Sequence, residues 1–195
     1  MKQLLTIIGM IALTLMLSFT TSTKRTIVID VGHGGKDAGK TAHGIHEKEV
    51  VLRIAHKIKE LNKDANIDII LTRDSDTFVT LKERTAFINS LAPEFVISLH
   101  TNAYHKETVK GNDIYISDNN SEKEKSTALA LKIKDALKEQ NRGIKKANFH
   151  LLKNVTYPIV LAEIGFLSNE KDRQQLTSEE GISEIAQAIY TVIQQ

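Results

Sequence analysis

Hydrophobic residues beyond position 25 alternate between two patterns: short β-branched runs and longer stretches with helical spacing. The short runs are typical of buried strands, because Val, Ile and Thr suit a pleated surface. They predict strands at residues 26–31, 67–71, 95–99, 113–117, 151–152 and 159–162.

Between these strands, apolar residues recur every three or four positions, as on the buried face of an α-helix. The first such stretch carries Val51, Ile54, Ile58 and Leu61. Three more follow the Ser/Thr-x-x-Glu pattern of a helix N-terminus, at Thr80 with Glu83, Ser121 with Glu124 and Thr177 with Glu180. Alternating strands and helices predict a single α/β domain, with a mostly parallel twisted sheet of about six strands and helices on both faces.

The first 23 residues differ from the rest of the chain. Lys2 precedes an apolar run over residues 4–19, and small polar residues follow it. This pattern predicts a signal peptide, or an N-terminal membrane anchor if it is not cleaved. We therefore expect residues 24–195 to form the exported, globular part, located in the periplasm or associated with the cell envelope.

Composition narrows the range of partners and sites. The 195 residues carry a net charge of +2, which gives no reason to expect nucleic acid as a partner. The chain has no Cys, which excludes disulfides, a thiolate zinc site and a lipid-modified N-terminal cysteine. We expect a monomer.

Coordinating side chains follow three of the predicted strands. His33, His100 and Glu163 each come just past the end of a strand, and Glu47 begins the helix after the first strand. In open α/β sheets, ligands bind in the crevice beyond the carboxyl ends of the strands. The four side chains are therefore expected to lie close together.

Two His and one carboxylate are a common zinc ligand set in hydrolases, with water in the fourth position. His33, Glu47 and His100 supply that set, and Glu163 is the candidate for the carboxylate that accepts a proton from the water and passes it to a leaving amine. His46 is an alternative ligand to Glu47, because it is the adjacent residue. Spacing alone leaves a structural role for these histidines open.

The remaining imidazoles and the glycines have simpler interpretations. We expect His43 in the glycine loop, His56 exposed on a helix, His105 in a polar loop and His150 at a strand edge.

Gly32, Gly34 and Gly35 also suggest a phosphate-binding loop. That alternative is disfavoured, because a polar stretch separates these glycines from the next helix, whose N-terminus would have to face the phosphate.

Five ordered blocks of sequence carry a more specific pattern. They are 29–39 (IDVGHGGKDAG), 47–52 (EKEVVL), 71–74 (LTRD), 98–103 (SLHTNA), and 142–145 with 158–169 (RGIK and PIVLAEIGFLSN). In this order and spacing, they resemble the zinc-dependent N-acetylmuramoyl-L-alanine amidases of bacterial cell walls. The resemblance runs from Thr26 to the C-terminus, although the family usually has Pro at the position of Val31.

This resemblance implies a peptidoglycan substrate and hydrolysis of the amide between the lactyl group of muramic acid and L-alanine. It implies zinc held by His33, Glu47 and His100, with Glu163 as the catalytic carboxylate. Asn102 is a candidate substrate contact, and a loop-capping role is its alternative.

Arg73 and Arg84 are expected to be structural and to pair with carboxylates near the sheet edge. For Arg84, the alternative is that it lines the groove.

Two alternative functions remain open. One is a zinc peptidase or deacetylase acting on another cell-wall bond, and the other is a non-catalytic peptidoglycan-binding protein.

Overall fold

The computed structural model describes residues 24–137 and 141–195. The predicted signal peptide or anchor at residues 1–23 lies outside the described residues. Within them, no helix is both long and apolar enough to cross a bilayer.

A six-stranded sheet forms the centre of the fold, as predicted. Its strands are β1 (Arg25–Val31), β4 (Ile67–Leu71), β5 (Phe95–Asn102), β6 (Asn112–Ile116), β7 (Asn141–Lys146) and β8 (Ile159–Phe166). Their order across the sheet is β4-β1-β5-β8-β6-β7, and every neighbouring pair is parallel except β6 with β8. A small hairpin of β2 (Thr41–Ala42) and β3 (Ile45–His46) lies between β1 and the first helix.

Helices cover both faces of the sheet. They are α1 (Glu47–Leu61), α2 (Leu81–Ser90), α3 (Lys123–Ala136), α4 (His150–Asn154), α5 (Glu170–Thr177) and α6 (Glu179–Ile193). The larger hydrophobic cluster packs α1, α3 and α6 against one face, and the smaller packs α2 and α4 against the other. The predicted arrangement of one α/β domain with two covered faces is confirmed.

The strand at residues 151–152 was predicted wrongly. Leu151 and Leu152 belong to α4 and are buried in the smaller cluster. A two-residue apolar run fits a buried helix turn as well as a strand, so the pattern could not separate them. The true sixth strand, β7, reads NRGIKK and lies at the sheet edge. Because Ile144 is its one aliphatic residue, β7 has no hydrophobic pattern from which a strand could be predicted.

Only one of the three predicted helix caps is present. Thr80 and Glu83 form a complete capping box at the start of α2. The box at Ser121 is wrong, because α3 starts at Lys123 and the Asn120 side chain accepts from the Glu122 amide instead.

The predicted cap at Thr177 is also wrong, by one residue. The Ser178 side chain accepts from the Gly181 amide and caps α6. Thr177 ends α5, a helix that was not predicted. Its sequence, EKDRQQLT, is almost wholly polar, and Leu176 is its buried aliphatic residue. Such a helix gives little hydrophobic periodicity.

Two of the predicted site residues lie inside strands rather than just after them. β5 continues through His100 to Asn102, and β8 continues through Glu163 to Phe166. His100 and Glu163 are directly opposite one another in the β5–β8 register. The strands extend further than their apolar runs because β5 and β8 remain paired through His100 and Glu163.

Candidate metal centre and acid–base site

Three side chains from separate elements converge at the carboxyl end of β1 and β5. His33 follows β1, Glu47 is the first residue of α1, and His100 lies on β5. One potential ligand atom from each lies within 4.8 Å of the others. The imidazole rings of His33 and His100 meet edge to face, with centroids 4.9 Å apart. The structure therefore brings together the three predicted metal ligands.

Glu47 is the buried centre of this group. Its Oε2 lies 3.2 Å from His33 Nε2, and its Oε1 lies 2.9 Å from His100 Nδ1. The backbone amides of Lys40 and Thr101 also donate to the two carboxylate oxygens, at 2.7 and 2.9 Å. Burial opposes ionisation, but the hydrogen bonds from His100 and His33 outweigh it and hold the pKa of Glu47 far below its usual range.

His33 is oriented by a second carboxylate. Its Nδ1 lies 2.9 Å from Asp37 Oδ2, while Asp37 Oδ1 accepts from the Gly39 amide at 3.1 Å. Burial lowers the pKa of His33, but hydrogen bonds to Glu47 and Asp37 raise it to about 8 overall. An acceptor at Nδ1 leaves Nε2 facing Glu47, which is the arrangement of a carboxylate–histidine–metal triad. Asp37 had no predicted role, although it lies four residues after His33 within the first family block.

Two buried arginines hold the loop that carries His33. Arg84 pairs with Asp30 at 2.9 Å and donates to the carbonyl of His33. Arg73 donates to the carbonyls of Val31 and Gly32, at 3.1 and 2.7 Å. The expected pairing with a carboxylate is therefore correct for Arg84, which also lines the cleft, whereas Arg73 binds mainly backbone oxygens.

These bonds stabilise an unfavourable backbone conformation. His33 has φ of +58°, a left-handed conformation that non-glycine residues adopt at a cost. Just before it, a Cβ on Gly32 would lie 2.5 Å from Cε1 of His100. A side chain at position 32 would therefore displace the imidazole, so this position requires glycine.

Glu163 lies beside the group on the neighbouring strand. Its Oε2 is buried, and no residue in the described ranges 24–137 and 141–195 gives it a hydrogen bond. Burial raises its pKa, and the nearby carboxylates of Glu47 and Asp113 add to this against the opposing effect of His100, so that its pKa is about 7. A carboxyl group with a pKa near neutrality can both accept and release a proton at neutral pH.

A cleft opens beside the group on the α2–α4 face. The cavity is about 430 Å³ in volume, and Asp30, Gly32, His33 and His100 contribute its polar side. Its apolar wall consists of Phe78, Val79, Leu81 and Leu151. Phe78 and Leu81 are 42% and 51% exposed, so their apolar surfaces are accessible from the cleft. This wall was not predicted, because its residues come from a loop and from the first turns of two helices.

The other predicted residues lie outside the group. His46 precedes α1, and its Nδ1 lies 3.0 Å from Thr41 Oγ1 across the β2–β3 hairpin. His43, His56 and His105 are exposed, as expected, whereas His150 is the first residue of α4 and not part of a strand. The glycine loop leads into the β2–β3 hairpin rather than into a helix, so the phosphate-loop interpretation fails. Asn102 Oδ1 accepts from the Ala103 amide at 2.9 Å.

Comparison with known proteins gives a consistent picture. Residues 27–195 match the family model described as N-acetylmuramoyl-L-alanine amidase. The chain is 32% identical over 169 residues to the uncharacterised protein YqiI of Bacillus subtilis, covering 85% of this chain and 81% of YqiI. It is 35% identical over 167 residues to the N-acetylmuramoyl-L-alanine amidase CwlM of Bacillus licheniformis, covering 82% of this chain and 64% of CwlM.

Solved structures show the same fold. The catalytic domain of the amidase CwlV from Paenibacillus polymyxa superimposes with a TM-score of 0.79 at 32% identity, covering 87% of this chain and 96% of that domain. The CwlD amidase of Clostridioides difficile, solved in complex with the GerS lipoprotein, gives a TM-score of 0.80 at 33% identity, with the same coverage of 87% and 96%. Some relatives are longer: the chain spans under two thirds of CwlM, at 64%, and 34% of the Bacillus subtilis amidase LytC.

Proposed function

Because the chain belongs to the family of N-acetylmuramoyl-L-alanine amidases, which are amide hydrolases, we propose that it cleaves the lactyl–alanine amide of peptidoglycan. The bond broken joins the lactyl group of N-acetylmuramic acid to the L-alanine of the stem peptide. The observation that carries this proposal is the position of Glu163, directly opposite His100 and next to the group formed by His33, Glu47 and His100. A proton-transferring carboxylate thus adjoins a potential metal site.

The donor set fits zinc. Two imidazoles and one carboxylate are the ligands of many catalytic zinc sites, and the chain has no thiolate to offer instead. The hydrogen bond from His33 to Asp37 occupies Nδ1 and leaves Nε2 for a metal, while two backbone amides fix the Glu47 carboxylate. When bound there, zinc would lower the pKa of a coordinated water towards neutrality and polarise the substrate carbonyl.

The remaining chemistry is assigned to Glu163. Its carboxylate would accept a proton from the attacking water and then donate it to the nitrogen of the scissile amide. The peptide would therefore leave as a neutral amine and not as a high-energy nitrogen anion. The partly buried position of Glu163 and its pKa of about 7 suit both steps. Asn102 is retained as a candidate substrate contact, with local capping of Ala103 as its structural role.

The proposed location follows from the proposed substrate. We propose that residues 1–23 direct export, either as a cleaved signal peptide or as an anchor, and that residues 24–195 act as a monomeric domain on the cell wall. The named amidases among its relatives are consistent with this setting.

Substitution of the carboxylate tests the mechanism. In Glu163→Ala, we expect zinc content and binding to peptidoglycan to be retained, with hydrolysis reduced by about 10²–10⁴-fold because proton transfer is lost. The control is Glu107→Ala, which removes an exposed carboxylate that does not line the described cleft. Near-normal turnover by Glu163→Ala would contradict the assigned role.

Analysis of the products separates the proposal from its alternatives. Mass spectrometry of digested cell wall should show peptides with a free N-terminal alanine together with glycan that retains the lactyl carboxylate. A peptidase would instead cut within the stem peptide, a deacetylase would release acetate, and a binding protein would release nothing.

A further inference from the structure

One row of residues crosses the sheet edge from the metal centre outwards. His100 on β5 pairs with Glu163 on β8, and Glu163 pairs with Asp113 on β6. Residues directly opposite one another in neighbouring strands point to the same face. Beyond Asp113 lies β7, which carries Arg142 and Lys145. The row therefore begins at the proposed ligands and ends in two cations.

These two cations are held in place by Asp113. Lys145 Nζ lies 2.8 Å and Arg142 Nε lies 3.3 Å from the same oxygen, Asp113 Oδ2. Each cation also lies over an aromatic ring, Arg142 at 5.3 Å from the centroid of Phe166 and Lys145 at 5.8 Å from that of Tyr115. Both side chains remain 40% exposed and can reach a ligand.

The charges of this cluster do not balance. Asp113 supplies one negative charge against the two positive charges of Arg142 and Lys145. A cation pair with one shared counter-ion can accept a second carboxylate, most readily through the fork of the guanidinium group. The cluster of Arg142, Lys145 and Asp113 is thus suited to bind an anion next to Glu163.

The proposed mechanism fixes which part of a substrate reaches this cluster. Glu163 donates its proton to the leaving amine, so the peptide must depart on the Glu163 side of the scissile bond, towards β6 and β7. Neighbouring strands are about 4.8 Å apart, which places the cations roughly 5–10 Å from Glu163. An extended peptide advances about 3.5 Å per residue, so its second residue spans that distance.

We infer that Arg142 and Lys145 bind a carboxylate on the residue that follows alanine in the peptide leaving group. This inference rests on the proposed function and extends it to substrate selection. A peptide with a free carboxylate at that residue should be preferred over one in which the same group is a neutral carboxamide. Asp113 acts as a positioning residue that holds both cations towards Glu163.

The test compares two synthetic N-acetylmuramoyl-alanyl peptides that differ only in this carboxylate or carboxamide. We expect the zinc-loaded wild-type protein to show a higher kcat/KM for the carboxylate peptide, by about tenfold or more, mainly through KM. In Arg142→Gln and Lys145→Gln, this preference should shrink towards unity. Lys146→Gln is the matched control, because Lys146 lies on the same strand but pairs with Asp118 and is 65% exposed.

Binding of the carboxylate and carboxamide leaving peptides, measured by calorimetry, decides the inference independently of turnover. If the wild-type protein cleaves neither substrate yet binds the carboxylate peptide more tightly, and Arg142→Gln abolishes that difference, then the proposed function fails and the site stands. If both substrates are cleaved equally well and the variants change neither rate nor binding selectivity, the site is wrong and the proposed function stands. Circular dichroism of each variant checks folding.

Discussion

At the scale of single residues, the geometry of the site depends on the hydrogen bonds that orient His33 and Glu47. The ligand candidates themselves could be predicted, because His33, Glu47, His100 and Glu163 are placed by strand order and by a recognisable family pattern. Their supporting partner, Asp37, could not. A carboxylate in a polar glycine loop looks like any solvated residue until the fold brings its oxygen to 2.9 Å from the imidazole.

Removing the carboxylate of Asp37 should weaken metal binding without removing a ligand. In Asp37→Ala, we expect zinc affinity to fall about 10–100-fold, because His33 loses the partner that fixes its ring and tautomer. Zinc titration against a competing chelator measures this. Asp76→Ala is the matched control, since Asp76 accepts from Gly35 in the same loop but does not contact His33. Equal losses in both variants would mean that Asp37 only supports the loop.

Zinc binding should also depend on pH through His33. The ion-free protein raises the pKa of His33 from 6.5 to about 8, so the folded imidazole keeps its proton through a range in which a free imidazole has lost it. A protonated imidazole cannot bind a metal, and zinc affinity should therefore decrease as the pH falls below about 8, by up to about tenfold per pH unit for one proton. Titrations with a chelator of known pH dependence, between about pH 6 and pH 9, check this. An affinity that is constant over that range would contradict this expectation.

At the scale of elements, most of the sheet could be predicted, but the edge strand β7 and the helix α5 could not. β1, β5 and β8 carry dense aliphatic runs because both of their faces are buried, and the opposite edge strand β4 buries one aliphatic face, so the sequence pattern identifies all four. β7 has one covered edge and a polar sequence, and α5 is almost wholly polar, so neither produces a hydrophobic pattern. Capping motifs were similarly ambiguous: three sites had suitable residues, and the geometry of one matched.

The single confirmed capping box gives a direct stability prediction. Thr80→Ala should lower the free energy of unfolding by about 1 kcal/mol, because the Glu83 amide loses its acceptor at the start of α2. Ser121→Ala is the control: the same sequence pattern is not used as a cap there, so the change should stay within about 0.5 kcal/mol. Urea denaturation of both variants measures the difference. Similar losses in the two would contradict the assignment of the caps.

At the scale of the whole molecule, the order of strands explains how the site is assembled. β1, β5 and β8 are neighbours in the sheet although they are far apart in sequence, and their carboxyl ends bring His33, His100 and Glu163 together. β6 pairs with β8 in the antiparallel direction and places Asp113 opposite Glu163 at this same edge. β7 adds the cations Arg142 and Lys145. A substrate bound along this edge would lie between the apolar wall of the cleft, the proposed metal centre, the proposed proton-transferring carboxylate of Glu163 and the cationic cluster.

The central claim is that His33, Glu47 and His100 share one zinc ion. Anomalous diffraction at the zinc edge, from crystals of the zinc-loaded protein, tests this most directly. We expect one strong peak about 2 Å from a ring nitrogen of each histidine and from a carboxylate oxygen of Glu47, with Glu163 outside the ligand set. A peak at other residues, or none at this group in zinc-loaded crystals, would contradict it.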